Sequence, residues 1–159
     1  INAYGRSKLL GEQQILDECK NYYIMRVQWV FGQAKGNFID TMLRLASEEK
    51  AIKVINDQLG SPTSTTSISK AVVNLLTNMP EHGIYHFRTL QHCTWYEYAC
   101  YIFDNRSINT AVQPVTSNEF VTNAIRPKNS VLNIGKWIYS DLYTPLSWKA
   151  DVDNYLKNQ

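Results

Sequence analysis

Apolar residues recur three and four positions apart in five stretches of the chain, and this spacing places them on one face of a helix. The pattern predicts amphipathic helices over residues 4–20, 38–47, 67–78, 95–103 and about 147–156. Thr94 precedes the fourth helix and Glu97 lies at its third position, a combination typical of a capping box. The chain is therefore rich in helices that each need a surface to cover one side.

Short aromatic and β-branched runs lie between the helical stretches and predict strands. They cover residues 22–31, 52–55, 83–87 and 111–115. Residues 56–63 are rich in turn formers and too polar for a core, so a loop is expected there. Because helices and strands alternate, the sequence predicts an α/β fold with a parallel sheet that carries helices on its faces.

Composition and charge exclude several classes of protein. The 159 residues are 44% hydrophobic and 19% charged, as in folded domains, and the net charge is only +2. No run of like charges is long enough to follow a nucleic-acid backbone, so nucleic acid is not an expected partner. No apolar run approaches the roughly 18 residues that span a membrane. Three cysteines without Cys-x-x-Cys spacing predict no disulfide framework and no metal site, which fits a cytoplasmic protein.

Tyr4 and Lys8 are four residues apart on the first predicted helix and share a face. A carbonyl reductase needs such a pair, because a phenol with a pKa near 10 donates a proton slowly unless a nearby cation stabilises the phenolate. The spacing alone is more typical of a surface pair, so the motif proves nothing without its context. The chain opens Ile1-Asn2-Ala3-Tyr4 without an initiator Met or a signal segment, and we expect it to begin inside a larger protein.

Seven segments in a fixed order supply that context. They are residues 4–12, 26–32, 37–46, 56–63, 83–86, 94–99 and 126–132. In this order they resemble the extended short-chain dehydrogenase/reductase superfamily and, within it, the dTDP-4-dehydrorhamnose reductases. The resemblance implies the carboxy-terminal half of a Rossmann-type parallel sheet with helices on its faces, plus a small α/β substrate-binding region. It assigns residues 1–34 and 64–90 to the nucleotide-binding part and residues 35–63 and 91–159 to the substrate-binding region.

The same resemblance assigns roles to individual residues. Tyr4 is similar to the family's catalytic acid, and Lys8 to the residue that supports it and holds the nicotinamide ribose. The implied cofactor-binding residues are Tyr4, Lys8, Val30 and Phe31. The implied substrate-binding residues are Trp29, Asn56, Gln58 and Arg126. No metal site is implied.

The function implied is reduction of dTDP-4-dehydro-L-rhamnose to dTDP-L-rhamnose with NADPH, or alternatively NADH. The Gly-rich turn that binds the cofactor pyrophosphate is absent from this sequence, so we expect this chain alone to be inactive without the amino-terminal half of the same protein. A homodimer is a further expectation, with no nucleic acid or membrane as partner. Two alternatives stay open, namely a non-catalytic subunit like the regulatory partner of methionine adenosyltransferase, and an epimerase or dehydratase of the same superfamily.

Several candidates have a structural interpretation as well. Trp29 follows a strand, where an aromatic ring is found in the core as often as against a ligand. Asp57 is more typical of a turn than of catalysis, and Arg126 fits either a diphosphate clamp or a surface ion pair. His86 is expected to be a hydrogen-bonded packing residue, and Trp95 a core residue.

Overall fold

The computed structural model describes residues 2–34, 36–48, 50–120, 122 and 124–158. Its helices are α1 (Ala3–Glu18), α2 (Phe38–Glu48), α3 (Thr65–Asn78), α4 (Trp95–Asn105), α5 (Gly135–Tyr139) and α6 (Trp148–Lys157). Its strands are β1 (Tyr23–Arg26), β2 (Val30–Phe31), β3 (Ala51–Ile55), β4 (Leu59–Gly60), β5 (Thr63–Ser64), β6 (Gly83–His86), β7 (Cys93–Thr94) and β8 (Ala111–Val115). The five predicted helices are confirmed.

Helix starts are set by short polar side chains that accept a hydrogen bond from a first-turn N–H group. Asn2, Ser64, Thr94 and Ser147 do so for α1, α3, α4 and α6. The capping box is confirmed, because Thr94 Oγ1 accepts from the Glu97 N–H and the Glu97 carboxylate accepts from the Thr94 N–H. The start of α4 was therefore readable from local sequence.

The strands pair as the α/β expectation requires. β1 with β6, β2 with β5 and β3 with β8 are parallel pairs, and β4 with β7 is antiparallel. Parallel neighbours need a crossover connection, and helices lie within these connections, such as α2 between β2 and β5 and α4 between β3 and β8. The predicted fold class is confirmed.

Two expectations about the strands are wrong in detail. The single strand expected over residues 22–31 is divided into β1 and β2, because the backbone of Trp29 turns into the left-handed region with φ of +43°. The loop expected over residues 56–63 contains the short strand β4 and the first residue of β5, and both strands pair with distant segments. The five-residue helix α5 was not predicted.

Buried apolar side chains form two clusters. The larger one joins α2, β3, α4 and α6 and is centred on Ile39, Tyr98 and Ile102. The smaller one joins α3 and β6 to α5 around Tyr85, Phe87 and Trp137. Residues 134–142 thus pack with the smaller cluster, whereas the predicted division assigned them to the substrate-binding region. The division itself stays a prediction.

Helix α1 belongs to neither cluster. None of its side chains is buried, and its apolar residues Leu9, Leu10, Ile15 and Leu16 are exposed. The Arg26 guanidinium of β1 donates to both carboxylate oxygens of Glu12, at 2.8 and 2.5 Å, and so connects α1 to the sheet. Arg26 also donates to Nε2 of His86, whose Nδ1–H donates to the Asn133 carbonyl, so His86 is the hydrogen-bonded packing residue that was expected.

Candidate active site

A cavity of about 590 Å³ opens beside the start of α1, and we call it the Tyr4 cavity. Four of the predicted site residues line it besides Tyr4, namely Trp29, Val30, Gln58 and Arg126. They come from the β1–β2 connection, the 56–63 segment and the 124–130 segment, which are far apart in the sequence. The fold therefore brings most of the predicted site residues to one place.

Tyr4 and Lys8 lie on one face of α1, as their spacing predicted. The Tyr4 side chain is 70% exposed, and the Lys8 ammonium lies 5.5 Å from the centroid of its ring. Asn2 caps the helix two residues before Tyr4, with its Oδ1 accepting from the Gly5 N–H at 2.8 Å. The phenol is thus accessible, with a cation within one helical turn.

Trp29 is held on both faces of its indole. The Trp95 ring stacks on one face, with ring centroids 3.6 Å apart and planes inclined by 12°. A Cβ added to Gly60 would lie 2.5 Å from both Cδ2 and Nε1 of Trp29 and closer still to Cε2, their bonded neighbour, so Gly60 lies above the ring plane. Since the Trp95 ring occupies one face, Gly60 covers the other. The edge of the Trp29 indole, and not one of its faces, therefore lines the Tyr4 cavity in this structure.

A second cavity of about 730 Å³ adjoins the first, and we call it the apolar cavity. It shares Trp29, Val30, Gln58, Trp95 and Arg126 with the Tyr4 cavity. Its other walls are mostly apolar and come from α2 and β3, with Phe38, Met42, Leu45, Ile52 and Val54 among them. The two cavities share these walls and are described below as one cleft, with the Tyr4 phenol at one end and the apolar side chains of α2 and β3 at the other.

Gln58 and Arg126 line both cavities in different ways. Gln58 is 5% exposed, and its Nε2 donates to Ser117 Oγ at 3.0 Å. The Arg126 side chain is exposed and forms no ion pair with any carboxylate in the described part of the chain. A guanidinium in this position is free to bind an anionic group in the cleft.

Asn56 and Asp57 hold the loop that carries Gln58. The Asn56 side chain accepts from Thr94 Oγ1 at 2.9 Å and lines neither cavity, so the structure does not bring it to the site. Asp57 accepts from the backbone N–H and the hydroxyl of Ser117, at 2.9 and 2.6 Å. The Ser117 hydroxyl is the main cause that lowers the pKa of the Asp57 carboxyl. Asp57 is therefore an anchor of this loop, as its turn-forming character indicated.

The two residues after Trp29 differ in their exposure. Val30 is exposed and lines both cavities. Phe31 is 2% exposed and packs in the larger core cluster, edge-on to Tyr155. Val30 therefore exposes its side chain to both cavities, whereas Phe31 is buried in the core and lines the apolar cavity but not the Tyr4 cavity.

Sequence analysis missed Gln28, which also lines the Tyr4 cavity. The residue is 8% exposed, and both polar atoms of its carboxamide are buried without a hydrogen-bond partner in the described part of the chain. Buried amides normally have partners. A polar residue between Val27 and Trp29, in a run otherwise typical of a buried strand, was the signal that could have identified it.

The described residues hold no cluster of three or more side chains suited to a metal ion. Cys19, Cys93 and Cys100 are free thiols, and burial is the main cause that raises the pKa of Cys93. Among the helices described here, none has the length and apolar character needed to cross a membrane. The polar groups that line the cleft include the Tyr4 phenol, the Arg126 guanidinium and the Gln58 carboxamide.

Comparison with known proteins shows the family to which this chain belongs. The family described as "RmlD substrate binding domain" matches residues 1–159. The chain belongs to this family. The spore coat polysaccharide biosynthesis protein SpsK of Bacillus subtilis is 37% identical over 98% of the chain, and the dTDP-4-dehydrorhamnose reductase of Salmonella typhimurium is 35% identical over 98%. The chain spans 54% and 56% of these two proteins, about half of their length.

A solved structure agrees with the sequence relatives. The dTDP-4-dehydrorhamnose reductase of Bacillus anthracis, in complex with NADP, matches with a TM-score of 0.94 and 33% identity. The match covers 100% of this chain and 56% of that one. The RmlD-type domain described here therefore has the fold of a portion of an NADP-binding reductase, and the resemblance noted from the sequence is confirmed.

Proposed function

We propose that this chain is the substrate-side part of an NADPH-dependent reductase that converts dTDP-4-dehydro-L-rhamnose to dTDP-L-rhamnose. The observation that carries the proposal is the Tyr4 cavity, where the candidate acid meets Trp29, Gln58 and Arg126. Its relatives include a dTDP-4-dehydrorhamnose reductase and a polysaccharide biosynthesis protein, which supports a nucleotide-sugar reductase. Because the chain spans about half of those proteins, the proposal applies to a longer protein that contains it.

The residues at the start of α1 fit the nicotinamide end of the cofactor. The phenol of Tyr4 and the ammonium of Lys8 are exposed on one face and suit the hydroxyl groups of a ribose. Val30 adds an exposed apolar side chain between the two cavities. Bound NADPH supplies the hydride, with NADH as the alternative donor. The pyrophosphate cradle is expected in the part of the longer protein that this chain does not span.

Tyr4 acts as the general acid in this proposal. When hydride reaches the C4 carbon of the keto sugar, the carbonyl oxygen becomes an alkoxide and takes the phenolic proton of Tyr4. The Lys8 ammonium stabilises the phenolate that results. The phenol is at the open end of the cleft, where an approaching sugar carbonyl can reach it. The hydride brings two electrons and one proton, and Tyr4 brings a second proton. Together they convert the ketone to an alcohol.

The shape of the cleft fits the rest of the substrate. The deoxysugar would occupy the Tyr4 cavity against the edge of Trp29. Arg126 would bind the diphosphate, because a guanidinium donates paired hydrogen bonds to phosphate oxygens. The thymine would enter the apolar cavity, whose walls are mostly hydrophobic. In this arrangement the diphosphate lies near the guanidinium of Arg126 and the thymine lies against apolar side chains of α2 and β3.

The test is NADPH oxidation with the dTDP-4-keto sugar, measured on the longer protein. Tyr4→Phe removes the proton donor and keeps the ring, so we expect turnover to fall by about 10²- to 10⁴-fold. Tyr139→Phe is the matched control, since Tyr139 is 92% exposed and lines neither the Tyr4 cavity nor the apolar cavity. Normal turnover in Tyr4→Phe would refute the assignment of the acid.

A further inference from the structure

The side chain of Asn2 makes two hydrogen bonds with different partners. Its Oδ1 accepts from the Gly5 N–H at 2.8 Å and caps α1. Its Nδ2 donates to the carbonyl oxygen of Ile125 at 2.9 Å, across 123 residues of sequence. One carboxamide therefore joins the first turn of α1 to the 124–130 segment.

The two ends of this connection lie next to the two groups proposed to act on the substrate. Tyr4 follows Asn2 by two residues, and Arg126 follows Ile125 directly. Asn2, Tyr4 and Arg126 all line the Tyr4 cavity. A change in the Asn2–Ile125 hydrogen bond would therefore change the position of the phenol relative to the guanidinium.

Few other contacts hold this end of α1 in the part of the chain that the structure describes. The helix buries no side chain, and its other hydrogen bonds to the rest of the fold come from Glu12, two turns beyond Tyr4. The Glu12–Arg26 pair fixes the middle of the helix against β1. The Asn2–Ile125 bond is therefore the contact that orients the end of the helix bearing Tyr4.

We propose that Asn2 is a positioning residue that holds Tyr4 at its working distance from a substrate bound by Arg126. The inference rests on the proposed function, because it takes Tyr4 as the acid. Catalysis is sensitive to such placement, since an error of about 1 Å can lower a rate by roughly 10²-fold. Asn suits the task because its carboxamide has both an acceptor and donors.

The two hydrogen bonds of Asn2 can be separated by substitution. Asp and Ser cap helices about as well as Asn does. An ionised Asp has no donor for the Ile125 carbonyl, and the Ser side chain is shorter than that of Asn and does not reach it. Asn2→Asp and Asn2→Ser therefore keep the cap and remove the connection, whereas Asn2→Ala removes both. Ser7→Ala is the matched control, because the Ser7 hydroxyl donates only to the Tyr4 carbonyl within the helix.

The experiment measures kcat, KM and the thermal unfolding midpoint of these variants in the longer protein. We expect Asn2→Asp and Asn2→Ser to unfold at the wild-type temperature while kcat falls by roughly 10- to 100-fold and KM changes less. Asn2→Ala should show the same loss of kcat together with a lower unfolding midpoint, and Ser7→Ala should keep wild-type kcat.

Two results would overturn the proposal. Wild-type kcat in both Asn2→Asp and Asn2→Ser would show that Asn2 is only a helix cap. A loss of kcat that follows a matching loss of stability in all three variants would show a structural role. Failure of the proposed function is distinguishable, because Tyr4→Phe would then keep normal turnover, whatever the Asn2 variants do.

Discussion

Gly60→Ala is the substitution for which the structure gives the sharpest expectation. Gly60 lies in β4 and has no positive φ, so its backbone accepts alanine. The new methyl group would however lie 2.5 Å from two atoms of the Trp29 indole and closer to a third. Ordinary contacts of a Cβ begin near 3.4 Å, so the ring has to move by about 1 Å. The stacked Trp95 ring, 3.6 Å away, blocks that movement.

The expected cost follows from this conflict. Overpacking in a well-filled site typically costs about 1–3 kcal/mol. For a chain of this size each kcal/mol lowers the unfolding midpoint by roughly 2–4 °C, so we expect a decrease of roughly 2–12 °C. The displaced Trp29 ring should also disturb the stacking of the two indoles. Because Trp29 lines both cavities, binding of the nucleotide sugar should weaken as well.

The assay combines thermal unfolding with near-ultraviolet circular dichroism, which is sensitive to stacked indoles. Gly11→Ala is the matched control, because a Cβ at Gly11 meets nothing within 4 Å and alanine favours the middle of α1 by about 0.5–1 kcal/mol. We expect the two Gly→Ala variants to shift stability in opposite directions. Wild-type stability and an unchanged spectrum in Gly60→Ala would refute the arrangement of Gly60, Trp29 and Trp95.

Two further predictions concern the site. The isolated chain should oxidise little or no NADPH with the dTDP-4-keto sugar, and turnover comparable to that of the longer protein would show that the cofactor cradle lies within these residues. In the longer protein, Trp29→Ala should weaken sugar-nucleotide binding or turnover. The free energy of unfolding should fall by less than the roughly 3–5 kcal/mol that is typical when a buried aromatic side chain is removed from a core. Denaturant unfolding and steady-state kinetics on the same variant measure both, and a large stability loss with normal kinetics would assign Trp29 to the core.

Local signals in the sequence predicted the regular elements well. The helical periodicity and caps such as Thr94 depend on residues within a few positions of one another, so a single sequence contains the information. The ring of Trp29, at the break between β1 and β2, contacts Trp95 and Gly60, which are 66 and 31 residues away. No local pattern specifies that contact, and the continuous apolar run over residues 22–31 therefore predicted one strand.

The site was predictable where a family pattern marked the residues, and less so where the side chain had a structural partner. Tyr4, Trp29, Gln58 and Arg126 converge on one cavity. Asn56 lies in the same polar segment as Gln58, but its side chain bonds to Thr94 at the start of α4. A one-dimensional pattern cannot separate these two amides, because the direction of each side chain is set by the segment that packs beside it.

Two kinds of interaction hold helix α1, which carries the proposed acid Tyr4. Its exposed residues Leu9, Leu10 and Leu16 need cover, and we expect the remaining portion of the longer protein to provide it. Hydrophobic packing of that kind is non-directional, so it stabilises the helix without fixing where its first turn points. Hydrogen bonds depend on angle as well as distance. The bond from Asn2 to Ile125 can therefore set the orientation of Tyr4 even when most of the stabilising contacts of α1 come from elsewhere.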